Sequence, residues 1–233
     1  MIIEYASARL DPAAVAAKLR HAPDWVRRGE SRPPRPKHAG VLCGVAAPGV
    51  SVPCRCALDD RELRETIHAD AWPEALAAIT KEKPVRLESR HHGGVLATTA
   101  DGSLRLSCDR LLGLVVEADM PDEPLARVLI ANAGRRGVGL SIGFSTSRVE
   151  HETVRGEPVR VIRKLKLDHV ALIAPGQRPA YPGAIAYFAP QGDRRAIEDA
   201  RRDARVSAWS HVRRTRTGVL DSLSPKLREL VAG

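Results

Sequence analysis

The segment Gly139-Leu140-Ser141-Ile142-Gly143-Phe144 places a serine among small and apolar residues, in a pattern typical of a strand. Its glycines keep side chains away from the serine hydroxyl and allow a substrate backbone to approach. In a Gly-x-Ser-x-Gly nucleophile elbow the serine sits on a strand-to-helix turn, whereas strand-like sequence continues here after Phe144. Ser141 is therefore a candidate nucleophile carried by a strand, with a buried structural serine as the alternative.

Apolar runs of strand length lie on both sides of this segment. They are bounded by glycine, proline or charged residues and cover residues 41–46, 85–89, 112–118, 159–162, 165–174 and 184–188. Helical patterns are fewer: residues 58–80 contain helical stretches, and residues 124–133 predict another helix. Many strands with few helices between residues 38 and 190 predict an α+β, mostly β fold with a barrel-like core.

The two ends of the chain differ from this core. Asp11-Pro12 begins a helical pattern, and Arg32-Pro33-Pro34-Arg35-Pro36 predicts an extended linker. An Arg-rich helix is predicted from Asp193 onward, with a short terminal helix after Ser224-Pro225. The chain thus divides into an N-terminal helix with its linker (1–37), a core domain (38–190) and a basic helical tail (191–233).

Composition bounds the function. The chain has 233 residues, 28% of them charged and 43% hydrophobic, a balance typical of a folded globular protein. A net charge of +9 would suit a nucleic-acid partner. However, only three Trp, three Tyr and two Phe are available to stack on bases, and the arginines are interleaved with acidic residues. Composition therefore disfavours a dedicated nucleic-acid role.

The sequence also bears on the location of the protein and on metal binding. No apolar run approaches the roughly 20 residues of a membrane span, and the N-terminus has no apolar signal core. The Cys54-Arg55-Cys56 spacing differs from the C-x2-C of a zinc knuckle. We therefore expect no metal, no cofactor and no membrane partner, and a place in the cytoplasm of a bacterial host.

Two further segments carry residues that could activate a serine. His91-His92-Gly93-Gly94 follows the 85–89 strand, and imidazole is a natural base for a serine because its pKa lies near 7. Adjacent side chains of an extended segment face opposite sides, so only one of the two histidines would face Ser141. A solvated polar loop is the alternative interpretation.

Asp168 and His169 form the other segment, within the apolar 165–174 strand. Polar residues in such surroundings are costly to bury unless they are paired. Either side chain could orient a histidine base. Because the two project to opposite faces, only one would serve, and periodicity alone leaves the choice open.

In order and spacing, these segments resemble the tailed-phage prohead (capsid maturation) serine protease family, which shares its fold with the herpesvirus assemblin proteases. Residues 41–49 resemble its opening strand, 64–67 with 71–76 its gateway helix, 85–91 the strand before the catalytic histidine, 113–118 the next strand, 139–144 the nucleophile motif and 167–174 the strand of the third residue. The resemblance covers about residues 38–190. It implies a herpesvirus-protease-like, closed or partly closed β-barrel with surrounding helices in this prohead protease domain.

The resemblance also implies roles for individual residues. Ser141 would be the nucleophile, His91 the general base and then acid, and His169 the residue that orients His91. Arg178, nine residues after His169, would help backbone N–H groups to stabilise the oxyanion.

Two positions depart from the family pattern. Many members have Asp where His92 stands and Glu where His169 stands, so the triad here would be Ser-His-His. A neutral second imidazole can hold the tautomer of the first, but it stabilises the imidazolium less than a carboxylate would. His92 and Asp168 stay as alternatives in case the strand register differs by one.

The implied function is that of a serine endopeptidase of procapsid maturation, acting in the host cytoplasm inside the assembling procapsid. It would cleave the scaffold or the scaffold-like arm of the major capsid protein, and itself, as a self-processing chain or homo-oligomer. Two alternatives remain: a catalytically inactive capsid-assembly or scaffold module of the same fold, and a basic nucleic-acid-associated phage protein.

Overall fold

The computed structural model describes residues 38–48, 52–55, 62–133, 136–154, 156–173 and 177–220. The helix and linker predicted over 1–37 and the helix predicted after Pro225 lie outside these residues. Among the described residues, no helix combines the length and the apolar character that a membrane crossing requires.

The described residues form ten strands and three helices. In chain order these are β1 (His38–Ala47), β2 (Val52–Arg55), β3 (Glu62–Ile67), α1 (Ala71–Ala77), β4 (Arg86–Glu88), β5 (Val95–Thr98), β6 (Leu104–Asp109), β7 (Gly113–Pro121), α2 (Pro124–Ala133), β8 (Val138–Val154), β9 (Glu157–Ile173), β10 (Ile185–Pro190) and α3 (Arg194–Leu220). The strands pair in the order β2-β3-β9-β8-β10-β1-β7-β6, while β4 pairs with both β9 and β5.

The sheet curves into a nearly closed barrel. β9 pairs with β8 along one edge and, along the other, with β3 and then β4, both parallel to it. Thr98 at the end of β5 and Ser103 just before β6 are joined by hydrogen bonds of 2.9 and 3.3 Å. This architecture confirms the predicted α+β, mostly β fold with a closed or partly closed barrel.

The long β8–β9 hairpin divides its side chains between the barrel core and the outer face. Paired residues share a face because side chains alternate along each strand. The core-facing set is Leu140, Ile142, Val170 and Leu172. The set that alternates with it, on the outer face, is Ser141, Gly143, His169 and Ala171.

A β-bulge at Asp168 decides which residues of β9 share the outer face. Gly143 pairs with His169, but the next residue of β8 pairs with Leu167, so Asp168 is the extra residue. Leu167 before the bulge and Val170 after it both pack in the core, which an uninterrupted period of two would not allow. The bulge therefore puts His169 on the face that carries the candidate nucleophile.

The helices cover the barrel. α1 buries Trp72 and has Pro73 in its first turn, where proline is tolerated. α2 begins and ends at the predicted residues, 124 and 133. α3, the predicted Arg-rich helix, packs on β1 and β10. Its buried face repeats every four residues, as Ala200, Ala204, Ala208 and Val212.

Two predictions of secondary structure are wrong. Residues 62–67, predicted within a helical stretch, form β3, because pairing with β9 and β2 overrides the local pattern. The strands predicted at 159–162 and 165–174 are one strand, β9. The basic residues between them do not interrupt it, because Arg163 pairs across to Glu150 and Glu152 on β8 at 2.7 and 2.8 Å.

Candidate active site

Ser141 lies on the outer face of β8, opposite Ala171 of β9. The residue is only 6% exposed. Its hydroxyl has no hydrogen-bond partner among the described residues. Every fully buried side-chain oxygen among these residues does have a partner, so the Ser141 hydroxyl is not fully buried and reaches solvent. His169 is its diagonal neighbour across the strand pair, at a typical Cα separation of about 7–8 Å. The serine is therefore both sheltered and accessible beside a histidine.

His91 meets His169 from the turn that follows β4. The turn is closed by hydrogen bonds from the Gly93 N–H to the Arg90 carbonyl and from the Ser89 N–H to the Gly94 carbonyl, both 2.9 Å. His91 Nδ1 lies 2.8 Å from His169 Nε2. The two rings are nearly perpendicular, at 75°, with centroids 5.1 Å apart. The structure thus joins two of the predicted site residues by a direct hydrogen bond.

His92 occupies a position that sequence reasoning described incorrectly. We expected an extended segment in which adjacent histidines face opposite sides, but His92 has a φ of 58°, in the left-handed region. The chain therefore turns at this residue, and the His92 ring also lies near His169, with centroids 5.7 Å apart. Among the described residues this ring makes no hydrogen bond, which distinguishes it from the ring of His91.

Gly143 provides the space that His169 fills. A Cβ at position 143 would lie 2.6 Å from both nitrogens of the His169 ring and nearer still to its Cε1. Gly139, at the other end of the motif, is closed in by Pro179, whose Cγ would be 2.9 Å from an added Cβ. The second glycine of the motif thus makes room for a histidine ring, whereas we had expected it to make room for a substrate backbone.

Burial is the largest influence on the pKa of His169, and it lowers that pKa below the ordinary value of 6.5. The charge of Glu88 opposes this effect, whereas His91, His92 and Arg86 add to it. His169 is consequently neutral at neutral pH. A neutral His169 with an unprotonated Nε2 accepts the hydrogen bond from the Nδ1–H of His91, which leaves the Nε2 lone pair of His91 available to take a proton.

Glu88 is a member of the site that sequence reasoning missed. Its side chain is 3% exposed, and its Oε2 accepts a hydrogen bond of 2.9 Å from the His92 backbone N–H. Its Oε1 lies 3.3 Å from Nη2 of Arg86, whose side chain is half exposed. A glutamate at the end of a short strand predicts a surface residue, and no local pattern marks this one as buried.

Neither Asp168 nor Arg178 makes a hydrogen bond or ion pair with the histidine pair among the described residues. The Asp168 carboxylate is partly exposed and lies 3.4 Å from Nζ of Lys166. Arg178 is exposed and makes no hydrogen bond or ion pair with the described residues, although the next residue, Pro179, adjoins Gly139 on β8. Among the described residues, no group of three or more His, Cys, Asp or Glu has an arrangement that could hold a metal ion.

A serine beside a hydrogen-bonded histidine pair, on the face of a β-barrel, has the components of a serine hydrolase site: a nucleophile, a base and an orienting group. The family model of the caudovirus prohead serine protease matches residues 57–195, which include all of these components. The chain therefore belongs to the caudovirus prohead serine protease family. No curated protein and no solved structure matches it.

Proposed function

We propose that this protein is an active serine endopeptidase that matures a phage procapsid. It cleaves the scaffold or the scaffold-like arm of the major capsid protein, and itself, inside the procapsid as it assembles in the host cytoplasm. The observation that carries the proposal is the 2.8 Å contact between His91 Nδ1 and His169 Nε2, on the face that carries Ser141, in a chain of this family.

The mechanism follows from the atoms of the site. Ser141 Oγ attacks the scissile carbonyl carbon while His91 Nε2 takes the hydroxyl proton. His91 then protonates the leaving amine, and an acyl-enzyme remains on Ser141. Water, deprotonated by His91, hydrolyses this ester and restores the serine. His169 accepts the Nδ1–H of His91 throughout and so holds the required tautomer.

Oxyanion stabilisation is assigned to backbone N–H groups and to Arg178. Arg178 is exposed and is not held by an ion pair with the described residues, so its guanidinium is available to a substrate. The Ser141 hydroxyl makes no hydrogen bond to either histidine in this structure. Catalytic hydrogen bonds are often long before substrate binds and tighten in the complex.

The distribution of charge supports a protein substrate over nucleic acid. Several arginines on the described surface are paired with carboxylates, among them Arg105 with Glu117 and Asp119, and Arg202 with Asp199 and Asp203. Such pairing reduces the positive field that nucleic-acid binding requires. Strong, salt-dependent binding to DNA would favour the nucleic-acid alternative.

The test is co-expression with the major capsid protein of the same phage. We expect truncation of the capsid protein, its scaffold or the protease itself with the wild-type chain, and none with Ser141→Ala. The substitution removes one hydroxyl, so the fold should be retained, and circular dichroism of the purified variant checks this. Full processing by Ser141→Ala would refute the serine-protease proposal. A folded wild-type chain that processes nothing would favour the inactive assembly module.

A further inference from the structure

Four polar or charged residues are buried among the described residues: Glu65, Glu88, Ser141 and His169. Ser141 and His169 belong to the proposed catalytic machinery. Glu65 is held by Tyr181 at 2.7 Å and Arg160 at 2.9 Å, a network within the barrel wall. Glu88 is the remaining one, and it lies directly under the histidine turn.

Strand register places Glu88 beside the reacting groups. Glu88 pairs with Ala171, which in turn pairs with Ser141, so the three lie in one row across β4, β9 and β8. Arg86 pairs with His169 in the neighbouring row. Glu88 on β4 and Ser141 on β8 are thus both diagonal neighbours of His169, one on each side of β9.

Two contacts hold the Glu88 carboxylate. One oxygen accepts the His92 N–H at 2.9 Å, at the residue where the chain turns back with φ 58°. The other faces the half-exposed guanidinium of Arg86 at 3.3 Å. A buried carboxylate that accepts a backbone N–H fixes that segment of chain, because losing the partner would leave a buried charge uncompensated. The His92 contact therefore anchors the turn that presents His91.

We propose, on the basis of the proposed function, that Glu88 is a positioning residue of the endopeptidase. Its carboxylate fixes the turn that carries His91, and its charge supplies the negative partner that a Ser-His-His arrangement lacks. When His91 takes the serine proton it becomes an imidazolium, which the neutral His169 cannot offset by charge. A carboxylate buried one row away stabilises that charge without occupying the third triad position.

The charges around the histidine pair determine in which direction each substitution should move the pKa of His169. The charged and titratable groups that act on His169 are Glu88 and Arg86 of β4 and His91 and His92 of the turn. The charge of Glu88 raises the pKa of His169, and that of Arg86 lowers it. Neutralising Glu88 should therefore make the pair less basic, and neutralising Arg86 should make it more basic.

The experiment measures how fast diisopropyl fluorophosphate modifies Ser141 across pH. In this reaction a Ser141 Oγ–P bond forms, fluoride leaves and His91 takes the hydroxyl proton, so the rate reports activation of the serine without a peptide substrate. Glu88→Gln keeps an acceptor for the His92 N–H and removes only the charge. We expect a rate about tenfold lower, with the acidic limb moved to lower pH. Glu88→Ala also releases the turn, and its rate should fall about 100-fold.

Two further variants complete the comparison. Arg86→Gln should move the acidic limb to higher pH, the direction opposite to that of Glu88→Gln. Glu150 of β8 binds Arg148 of β8 and Arg163 of β9, and Glu150→Gln should change neither the rate nor the pH profile. Thermal unfolding of each variant confirms that it is folded. If Glu88→Gln does not fold, Glu88→Asp carries the test: it keeps the charge but shortens the reach to the His92 N–H, so the rate should fall while the acidic limb stays in place.

NMR titration of the histidine rings in the Ser141→Ala protein separates this inference from the proposed function. Glu88→Gln should lower the His169 midpoint even if the protein does not cleave peptides. Unchanged midpoints, or a wild-type rate and pH profile in Glu88→Gln, would overturn the role of Glu88. A wild-type chain that is folded but not modified at Ser141 would overturn the proposed function instead, and the titration would still decide the role of Glu88.

Discussion

Substituting alanine for Gly143 should disable the site while leaving the barrel folded. The added Cβ would lie 2.6 Å from both nitrogens of the His169 ring. Cε1 of the ring would be nearer still, and atoms in contact need about 3.5 Å, so the ring must move by more than about 1 Å. The His91–His169 hydrogen bond, now 2.8 Å, would then lie outside hydrogen-bonding range.

The size of the effect follows from this displacement. A shift of about 1 Å in a catalytic group can cost about 100-fold in rate, and we expect that loss in the modification of Ser141 by diisopropyl fluorophosphate. The cost to the fold is smaller, because overpacking destabilises by about 1–3 kcal/mol and a ring on the outer face can move outward. Thermal unfolding should therefore show a folded variant with a modestly lower midpoint.

A double-mutant cycle tests whether the effect passes through the ring. In a His169→Ala background the added methyl group of Gly143→Ala meets no imidazole, so it should cause little further loss. The two substitutions should consequently be strongly non-additive. If their separate losses multiply in the double variant, Gly143 acts independently of His169, and the packing argument is refuted.

Three further predictions concern the histidines, the bulge residue and a buried thiol. His91→Ala should abolish processing as fully as Ser141→Ala does, because the members of a triad fail as a unit. His92→Ala should reduce processing far less, and the reverse order would make His92 the base. His169→Ala should leave residual activity, and His169→Glu should retain or raise activity. Asp168→Asn should leave activity nearly unchanged from mildly acidic to mildly basic pH. An inactive Asp168→Asn beside an active His169→Ala would transfer the orienting role to Asp168. Burial raises the pKa of Cys43 from 9.0 to about 11, so its contribution to stability is full below pH 9 and is lost as pH rises toward 11. Between pH 9 and 11, urea unfolding should therefore show a smaller loss of stability for Cys43→Ala than for the wild type. Equal losses would contradict the raised pKa of Cys43.

Strands that correspond to a short apolar run in the sequence were predicted well. The 41–46, 85–89 and 184–188 runs overlap β1, β4 and β10, and 124–133 is a helix with the predicted bounds. Local periodicity suffices for such elements because burial of one face determines their conformation. β3 escaped prediction because its conformation depends on partners distant in the chain: it pairs with residues 159–162 of β9, and its Glu65 binds Arg160 and Tyr181.

The geometry of the site was predictable only in part. Ser141, His91 and His169 could be proposed from the order of their segments, but the choice between Asp168 and His169 depended on strand register. The bulge that sets this register is absent from any local pattern, because it arises from pairing between β8 and β9. The turn at His92 and the burial of Glu88 were missed for the same reason, since each depends on the other through one hydrogen bond.

Chemical labelling of the folded chain tests the nucleophile most directly. After reaction with diisopropyl fluorophosphate, mass spectrometry of the intact protein and of its peptides should find one adduct, on Ser141. Ser141→Ala and His91→Ala should remain unlabelled under the same conditions, because the first lacks the nucleophile and the second lacks its base. An adduct on another residue, or a folded wild-type chain that does not react, would contradict the assignment of Ser141 as an activated serine.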